Sequence, residues 1–164
     1  MNKKYSLTKN TKVWCGITLF QIKAEISFGC VVKGELGGYI EKESNLKVSG
    51  NAWVSGDAWV FGNAQVSDNA QVSGNARVSD NARVFGNARV SGNAWVSGNA
   101  RVSGDAQVSG NAWVSGDAWV FGNARVFGNA RVSGNAWVSG NAWVSGNADS
   151  YMVVGDTTYS QTIS

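Results

Sequence analysis

A six-residue repeat fills most of the chain and restricts its fold more than any other feature. From Val48 to Asp149 the 164-residue sequence reads as 17 consecutive hexads without insertion or deletion, beginning with Val-Ser-Gly-Asn-Ala-Trp at 48–53. Position one is Val and position five is Ala in every hexad, position two is Ser in 13 and Phe in four, and position six varies. A short fixed period is typical of architectures in which each repeat is buried only by its neighbours.

Each hexad predicts a short strand followed by a corner. Ala at position five and the next Val lie two residues apart, so in an extended segment both face inward while positions six and two face outward. Gly-Asn at positions three and four predicts a tight corner, because Gly adopts positive φ without steric cost and Asn tolerates it. Stacked Asn side chains are expected to join successive coils through their amides.

The same pattern excludes the two simplest alternatives. Apolar spacings of two and then four do not follow the 3.6-residue period of a helix, and Gly-Asn in every hexad would break one. A meander of hairpins would lose its inward face at each reversal, although Gly-Asn could form the turns. Coiling in one direction keeps all the Val and Ala side chains inside, so we predict an all-β coil.

The hexad resembles the hexapeptide repeat of left-handed parallel β-helices, which has an aliphatic residue at i, a small residue at i+4 and a turn between them. The resemblance implies a triangular solenoid of 18 residues per coil, with about six coils and a length of roughly 30 Å at ~4.8 Å per coil. We place a degenerate pair of hexads at 36–47, with Leu36, Ile40 and Leu46 facing inward in the same register. The lead-in at 34–46 also resembles bacterial and phage repeat proteins described as polymer-forming or cytoskeleton-like.

The flanks of the repeat differ from it in composition. We assign residues 1–35 to a small N-terminal β cap, 36–149 to the solenoid and 150–164 to a C-terminal tail or partial cap. Within the cap, 13–24 is predicted to form two strands hinged near Gly16, and 28–34 a further strand. Cys15 and Cys30 are interpreted as small buried residues and not as a redox pair.

Composition excludes most catalytic chemistry. The chain has no His, so it lacks an imidazole base and any His-ligated metal site, and its two Cys cannot form a Cys₄ zinc site. The acyltransferases of the fold use a catalytic His and a loop that interrupts the coils, and the repeat here has neither. We therefore expect a protein that is not an enzyme and that has no catalytic residue, cofactor or metal.

Charge and hydrophobicity restrict the partners. Residues 36–149 hold eight Lys or Arg and eight Asp or Glu, which makes nucleic acid an unlikely ligand. The N-terminus resembles no signal peptide, and no segment has the ~20 apolar residues of a membrane helix. The expected location is the cytoplasm or a phage particle, with no contact with a membrane.

The outward positions are the only variable surface. Hexads three apart are expected to stack on one side of the triangle, and we name the sides by their position-six residues. Side one carries Trp53, Gln71, Arg89, Gln107, Arg125 and Trp143; side two carries Trp59, Arg77, Trp95, Trp113, Arg131 and Asp149; side three carries Gln65, Arg83, Arg101, Trp119 and Trp137. The predicted contact surface consists of Trp59, Arg77, Trp95, Trp113, Arg131, Trp119, Trp137, Trp53 and Trp143.

Alternating Arg and Trp suit cation–π stacking along a side, and such rings also stack on sugars. The alternative is that these bulky side chains only shield the strands and stack on one another. Residues 48–64 and 108–124 are identical at an offset of ten hexads, which is not a multiple of three, so the copy lies on a different side. Growth by single hexads favours a spacer or rod of adjustable length over a shaped pocket.

These observations predict a non-enzymatic structural solenoid that associates with itself. Its copies would meet through their Trp- and Arg-bearing sides, or end to end through the strand edge of the last coil near Val144 and Ala148. The alternative function is a binding module that recognises glycans or a host protein through the outward Trp and Arg ladders.

Overall fold

A computed structural model describes residues 3–146, 149–150 and 158–161, the last two segments by their backbone alone. Two long strands and one of five residues precede a series of very short strands, nearly all of two residues. The strands are β1 (Tyr5–Trp14), β2 (Ile17–Ala24), β3 (Leu36–Ile40), β4 (Trp53–Val54), β5 (Trp59–Val60), β6 (Gln65–Val66), β7 (Gln71–Val72), β8 (Arg77–Val78), β9 (Arg83–Val84), β10 (Arg89–Val90), β11 (Trp95–Val96), β12 (Arg101–Val102), β13 (Gln107–Val108), β14 (Trp113–Val114), β15 (Trp119–Val120), β16 (Arg125–Val126), β17 (Arg131–Val132), β18 (Trp137–Val138), β19 (Trp143–Gly146), β20 (Asp149–Ser150) and β21 (Thr158–Gln161). A 3-10 helix covers Glu43–Asn45, and the described residues contain no α-helix.

The short strands form three parallel sheets, which are the three predicted sides. Side two is a nine-stranded sheet in the order β1-β2-β3-β5-β8-β11-β14-β17-β20, side one is β21-β19-β16-β13-β10-β7-β4, and side three is β18-β15-β12-β9-β6. From β4 to β20 paired residues lie 18 apart, as in Trp95 with Trp113 and Arg101 with Trp119, whereas β1, β2 and β3 pair antiparallel at the start of side two. The fold class is therefore confirmed as an all-β parallel solenoid of about six turns with 18 residues per coil.

Val and Ala line the inside of the coil. Every Ala from Ala52 to Ala142 and every Val from Val54 to Val144 at these two positions is at most 1% exposed. Each coil donates backbone hydrogen bonds to the carbonyls of the next, for example from Trp95 to Ala112 at 2.9 Å. Since burial of one Val side chain contributes ~1.5–3 kcal/mol, the repeated ladder fixes the period of the coil.

The corners have the predicted chemistry. Gly110 has a φ of +66°, and a Cβ there would lie 2.9 Å from the backbone nitrogen of Gly128 in the next coil. Asp68 and Asp80, which stand at position three of their hexads in place of Gly, also adopt positive φ, at 60° each. The predicted amide bridges are present, as in Asn75 Nδ2 to Asn93 Oδ1 at 3.2 Å.

The lead-in to the solenoid has a different register from the one predicted. Ile40 pairs with Val60, and Leu46 bridges Val66, so both occupy the Val position and not the Ala position of the hexad. Eight residues, not six, separate the inward side chains of Leu46 and Val54. Val48 lies in this longer connection and is 64% exposed, and Leu36 is 51% exposed, so the prediction that both face inward is wrong.

The N-terminal segment begins with a hairpin. β1 and β2 pair antiparallel around Cys15 and Gly16, both at positive φ, which confirms the predicted hinge. The predicted strand at 28–34 is wrong: only a single bridge joins Phe28 to Val31, because Gly29 and Gly34 have positive φ and interrupt the extended backbone. Cys15 and Cys30 both lie in turns and are exposed, so their assignment to the core is wrong.

The same segment closes the N-terminal end of the core. In regular coils a backbone carbonyl accepts a hydrogen bond from an N–H group of the preceding coil. The carbonyls of the first coil have no preceding coil to supply this donor. Lys4 Nζ donates to the carbonyl oxygens of Gly50 at 3.1 Å and Ala52 at 2.9 Å, and the Tyr5 hydroxyl donates to Leu46 at 2.7 Å. Burial lowers the pKa of Lys4 to about 8. Burial first, and the charge of Glu43 second, raise the pKa of Tyr5.

At the C-terminal end, β20 pairs with β17 and β21 pairs in parallel with β19. The rest of the predicted tail, and Ala148, lie outside the described residues. Among the described residues, no helix is long and apolar enough to span a membrane.

Candidate functional site: the outward ladders

Side two carries a continuous stack of rings and guanidinium groups. The indoles of Trp95 and Trp113 lie parallel, with centroids 5.3 Å apart and an interplanar angle of 8°. The guanidinium of Arg77 lies 4.6 Å from the ring of Trp59 and 5.7 Å from that of Trp95, and Arg131 lies 5.8 Å from Trp113. The structure thus brings five of the six position-six residues of this side together in the predicted order.

Hydrogen bonds to serine fix three of the indoles. Nε1 of Trp95 donates to the Ser79 hydroxyl at 3.1 Å, and Trp119 donates to Ser103 at 2.9 Å. Trp113 makes the same bond with Ser97 at 3.2 Å. Each acceptor precedes its tryptophan by 16 residues, and this offset in the sequence was the signal that could have revealed the bond.

The hairpin covers the lower end of side two. The ring of Trp14 packs edge-on against Trp59 at 5.6 Å, and the guanidinium of Arg77 lies 4.7 Å from Trp14. Lys12 forms an ion pair with Asp57 at 2.7 Å and lies 4.3 Å from the ring of Tyr39. No repeat or spacing in the sequence marks these hairpin residues, and the one available signal was the high content of aromatic and β-branched residues in the hairpin.

Trp53 does not belong to an accessible surface. Its indole is 4% exposed and packs edge-on against Phe28, with centroids 5.4 Å apart. Its Nε1 is buried without a hydrogen-bond partner. The inclusion of Trp53 in the predicted contact surface is therefore wrong, because the N-terminal segment covers the lower end of side one as well.

Three tryptophans of the predicted surface remain well exposed, and they lie on three different sides. Trp113 on side two is 39% exposed, Trp137 on side three is 49% exposed and Trp143 on side one is 44% exposed. Trp119 is half-buried, with its centroid 4.9 Å from Phe121 and 5.8 Å from Trp137. The accessible rings therefore concentrate in the C-terminal half of the solenoid.

Five of the six arginines on the sides lie near an aromatic ring. Arg101 lies 5.8 Å from Trp119, and Arg125 lies 5.4 Å from Trp143. Among the side chains that the structure describes, ion pairs form only at the N-terminal end, between Lys3 and Glu43 and between Lys12 and Asp57. The surface thus offers aromatic faces and hydrogen-bond donors, the chemistry of contact and binding.

The family model described as YdcK Beta solenoid repeat matches this chain at residues 70–84, 82–98, 94–107, 106–122, 124–140 and 130–146. A comparison with curated proteins finds no match. The matched segments lie in the coils described above, and together with the fold they identify a β-solenoid repeat protein.

Proposed function

We propose that this β-solenoid repeat protein is a non-enzymatic structural element that associates with copies of itself through its sides. The observation that carries the proposal is the exposure of Trp113, Trp137 and Trp143, whose rings project from a rigid core. Aromatic residues are enriched at contact surfaces, and Trp is among the residues that dominate the energy of interfaces.

The construction of the coil supports the role of a rod. Its inward positions are uniform and its corners are joined by amide ladders, so length can change without a change in the core. The identical segments 48–64 and 108–124 are consistent with growth by hexads. The resemblance to polymer-forming bacterial and phage proteins points in the same direction, and the proposed location is the cytoplasm or a phage particle.

Contact through the sides is the better-supported route. At the N-terminal end, the side chains of Lys4 and Tyr5 already occupy carbonyl oxygens of the first coil. At the other end, the edge of β19, which includes Val144, is paired with β21. The strand edge at Val144, proposed for end-to-end stacking, is therefore in use within the chain.

Light scattering coupled to size exclusion tests the proposal. The triple substitution Trp113→Ser, Trp137→Ser and Trp143→Ser is expected to leave the Val and Ala core intact and to reduce the measured mass to that of one chain. The matched control replaces the glutamines at the same hexad position, Gln65, Gln71 and Gln107, by Ser and should retain the mass of the parent. A parent that is already monomeric, or a triple variant of unchanged mass, would contradict self-association.

The alternative is a module that binds glycans or a host protein. It is favoured by one observation, a groove on side one lined in part by Phe127 and Trp143. A monomeric parent that binds on a glycan array, or that captures a defined host protein, would replace the structural proposal by this one.

A further inference from the structure

Two exposed tryptophans depart from the arrangement of the other rings. The residues 16 positions before Trp137 and Trp143 are Phe121 and Phe127, where Trp95, Trp113 and Trp119 have serine. Each phenyl ring stands nearly perpendicular to its indole, at 81° and 82°, with centroids 6.2 and 6.1 Å apart. Without the serine acceptor, no residue that the structure describes accepts a hydrogen bond from either indole.

On side one, Phe127 and Trp143 form the wall of a groove. The groove has a volume of about 320 Å³ and is lined by Gln107, Ser109, Arg125, Phe127 and Trp143. That volume lies at the lower end of the range for small-ligand pockets, so it suits a ligand of about one ring. The lining combines an exposed aromatic face with a cation, an amide and a hydroxyl.

Arg125 gives the groove its charge preference. It lies in register between Gln107 and Trp143 on adjacent coils, with its guanidinium 5.4 Å from the centroid of Trp143. Among the described side chains, no carboxylate pairs with it. A guanidinium with unused donors binds a carboxylate with two parallel hydrogen bonds.

We propose that this groove binds a pyranose ring that carries a carboxylate, as in a uronic acid residue of a glycan. The exposed face of Trp143 packs against the C–H groups of the sugar ring, and Arg125 binds the carboxylate. The Trp143 indole, Gln107 and Ser109 hydrogen-bond to the hydroxyl groups. The inference rests on the alternative, glycan-binding function and does not require self-association.

The test is titration calorimetry of the full chain with tetragalacturonate and with its fully methyl-esterified form. Both probes have the same rings, and only the first has carboxylates. Saturable binding of the acid is expected, with an affinity at least tenfold higher than that of the ester. Arg125→Gln should abolish this preference. Trp143→Ser should lower the affinity for both probes at least tenfold.

Matched variants keep the test specific to the groove. Trp113→Ser removes an equally exposed indole outside the groove and should leave tetragalacturonate binding unchanged. Phe127→Ser gives Trp143 the serine acceptor that other indoles have, and it should weaken binding. Circular dichroism confirms that each variant remains folded.

Several results would overturn the inference. They are no binding by the parent, equal affinity for acid and ester, retained binding in Trp143→Ser, or tighter binding of single-stranded DNA than of tetragalacturonate. Light scattering on the same samples separates this site from self-association, because Trp143 belongs to both surfaces: a monomeric parent that binds the sugar supports the groove alone, and an assembled parent whose mass falls when the sugar binds shows competition for Trp143.

Discussion

At the scale of single residues, the corners show how one atom decides whether a ladder of side-chain amides continues to the next coil. Asn87 Nδ2 donates to Asp105 Oδ1 at 3.0 Å, and Asn99 Nδ2 donates to Asp117 Oδ1 at 2.9 Å. A carboxylate accepts this bond but has no N–H to pass to the next coil. The two aspartates therefore end their ladders, whereas Asn75, Asn93 and Asn111 continue theirs.

Restoring the amide should strengthen the solenoid. Asp105→Asn and Asp117→Asn are each expected to raise the free energy of unfolding by about 0.5–1 kcal/mol, the usual net value of one hydrogen bond at a partly exposed site. Urea denaturation followed by circular dichroism measures the change. The reverse substitution Asn93→Asp, in an uninterrupted ladder, should lower stability, and a stabilising effect of this control would refute the ladder mechanism.

A comparison of identical hexads shows what local sequence cannot predict. Trp53 and Trp113 occupy the same place in the identical segments 48–64 and 108–124, yet Trp53 is buried and Trp113 is exposed. The difference comes from Phe28, which belongs to the N-terminal segment and packs on Trp53 alone. The repeat predicts which residues are neighbours along each side. The exposure of Trp53, however, depends on its contact with Phe28, which is distant in sequence.

At the scale of elements, the repeat and its flank differ in how they are determined. The two-residue strands follow from the pattern because each buries the same Val and Ala against identical neighbours. The lead-in lacks that constraint, so the extra residues around Val48 shift its register. Gly16 indicates the turn that exposes Cys15, whereas the positive φ of Gly29, next to Cys30, interrupts a segment whose aliphatic residues predict a strand.

The N-terminal element should make stability depend on pH through Lys4. Its pKa falls from an ordinary value of 10.5 to about 8 in the folded chain, so between these values the folded state has released a proton that the unfolded state keeps. The free energy of unfolding should therefore rise with pH from about 8, by at most about 3 kcal/mol. The raised pKa of Tyr5 opposes this above pH 10, where only the unfolded state loses the phenolic proton.

Urea denaturation at pH 7.5, 9 and 10 measures this dependence. Lys4→Met keeps most of the apolar stem and removes the titrating group. The increase of the unfolding free energy with pH that is due to Lys4 should therefore disappear. If parent and variant show the same slope, or if stability of the parent relative to the variant falls between pH 8 and 10, the burial of the ammonium does not control stability here.

At the scale of the whole molecule, the number of hexads determines which outward residues share a side. Three additional hexads return every later residue to its original side, whereas a single hexad moves each of them to the next side. The core tolerates both changes, because Val and Ala recur in every hexad. Stability of such solenoids is approximately a sum over neighbouring units.

Two duplications separate the effect of length from that of side. A second copy of residues 78–95 adds one coil, lengthens the rod by ~4.8 Å and keeps a tryptophan next to Arg77 on side two. A second copy of 90–95 alone moves every later residue to the next side, so that Arg101 lies next to Arg89 and no longer next to Arg83. Both should fold with the thermal stability of the parent, because the second variant exchanges one pair of adjacent arginines for another, but only the first should retain the assembled mass. Melting curves and light scattering measure the two properties, and equal association of both variants would show that the order of residues along a side has no part in assembly.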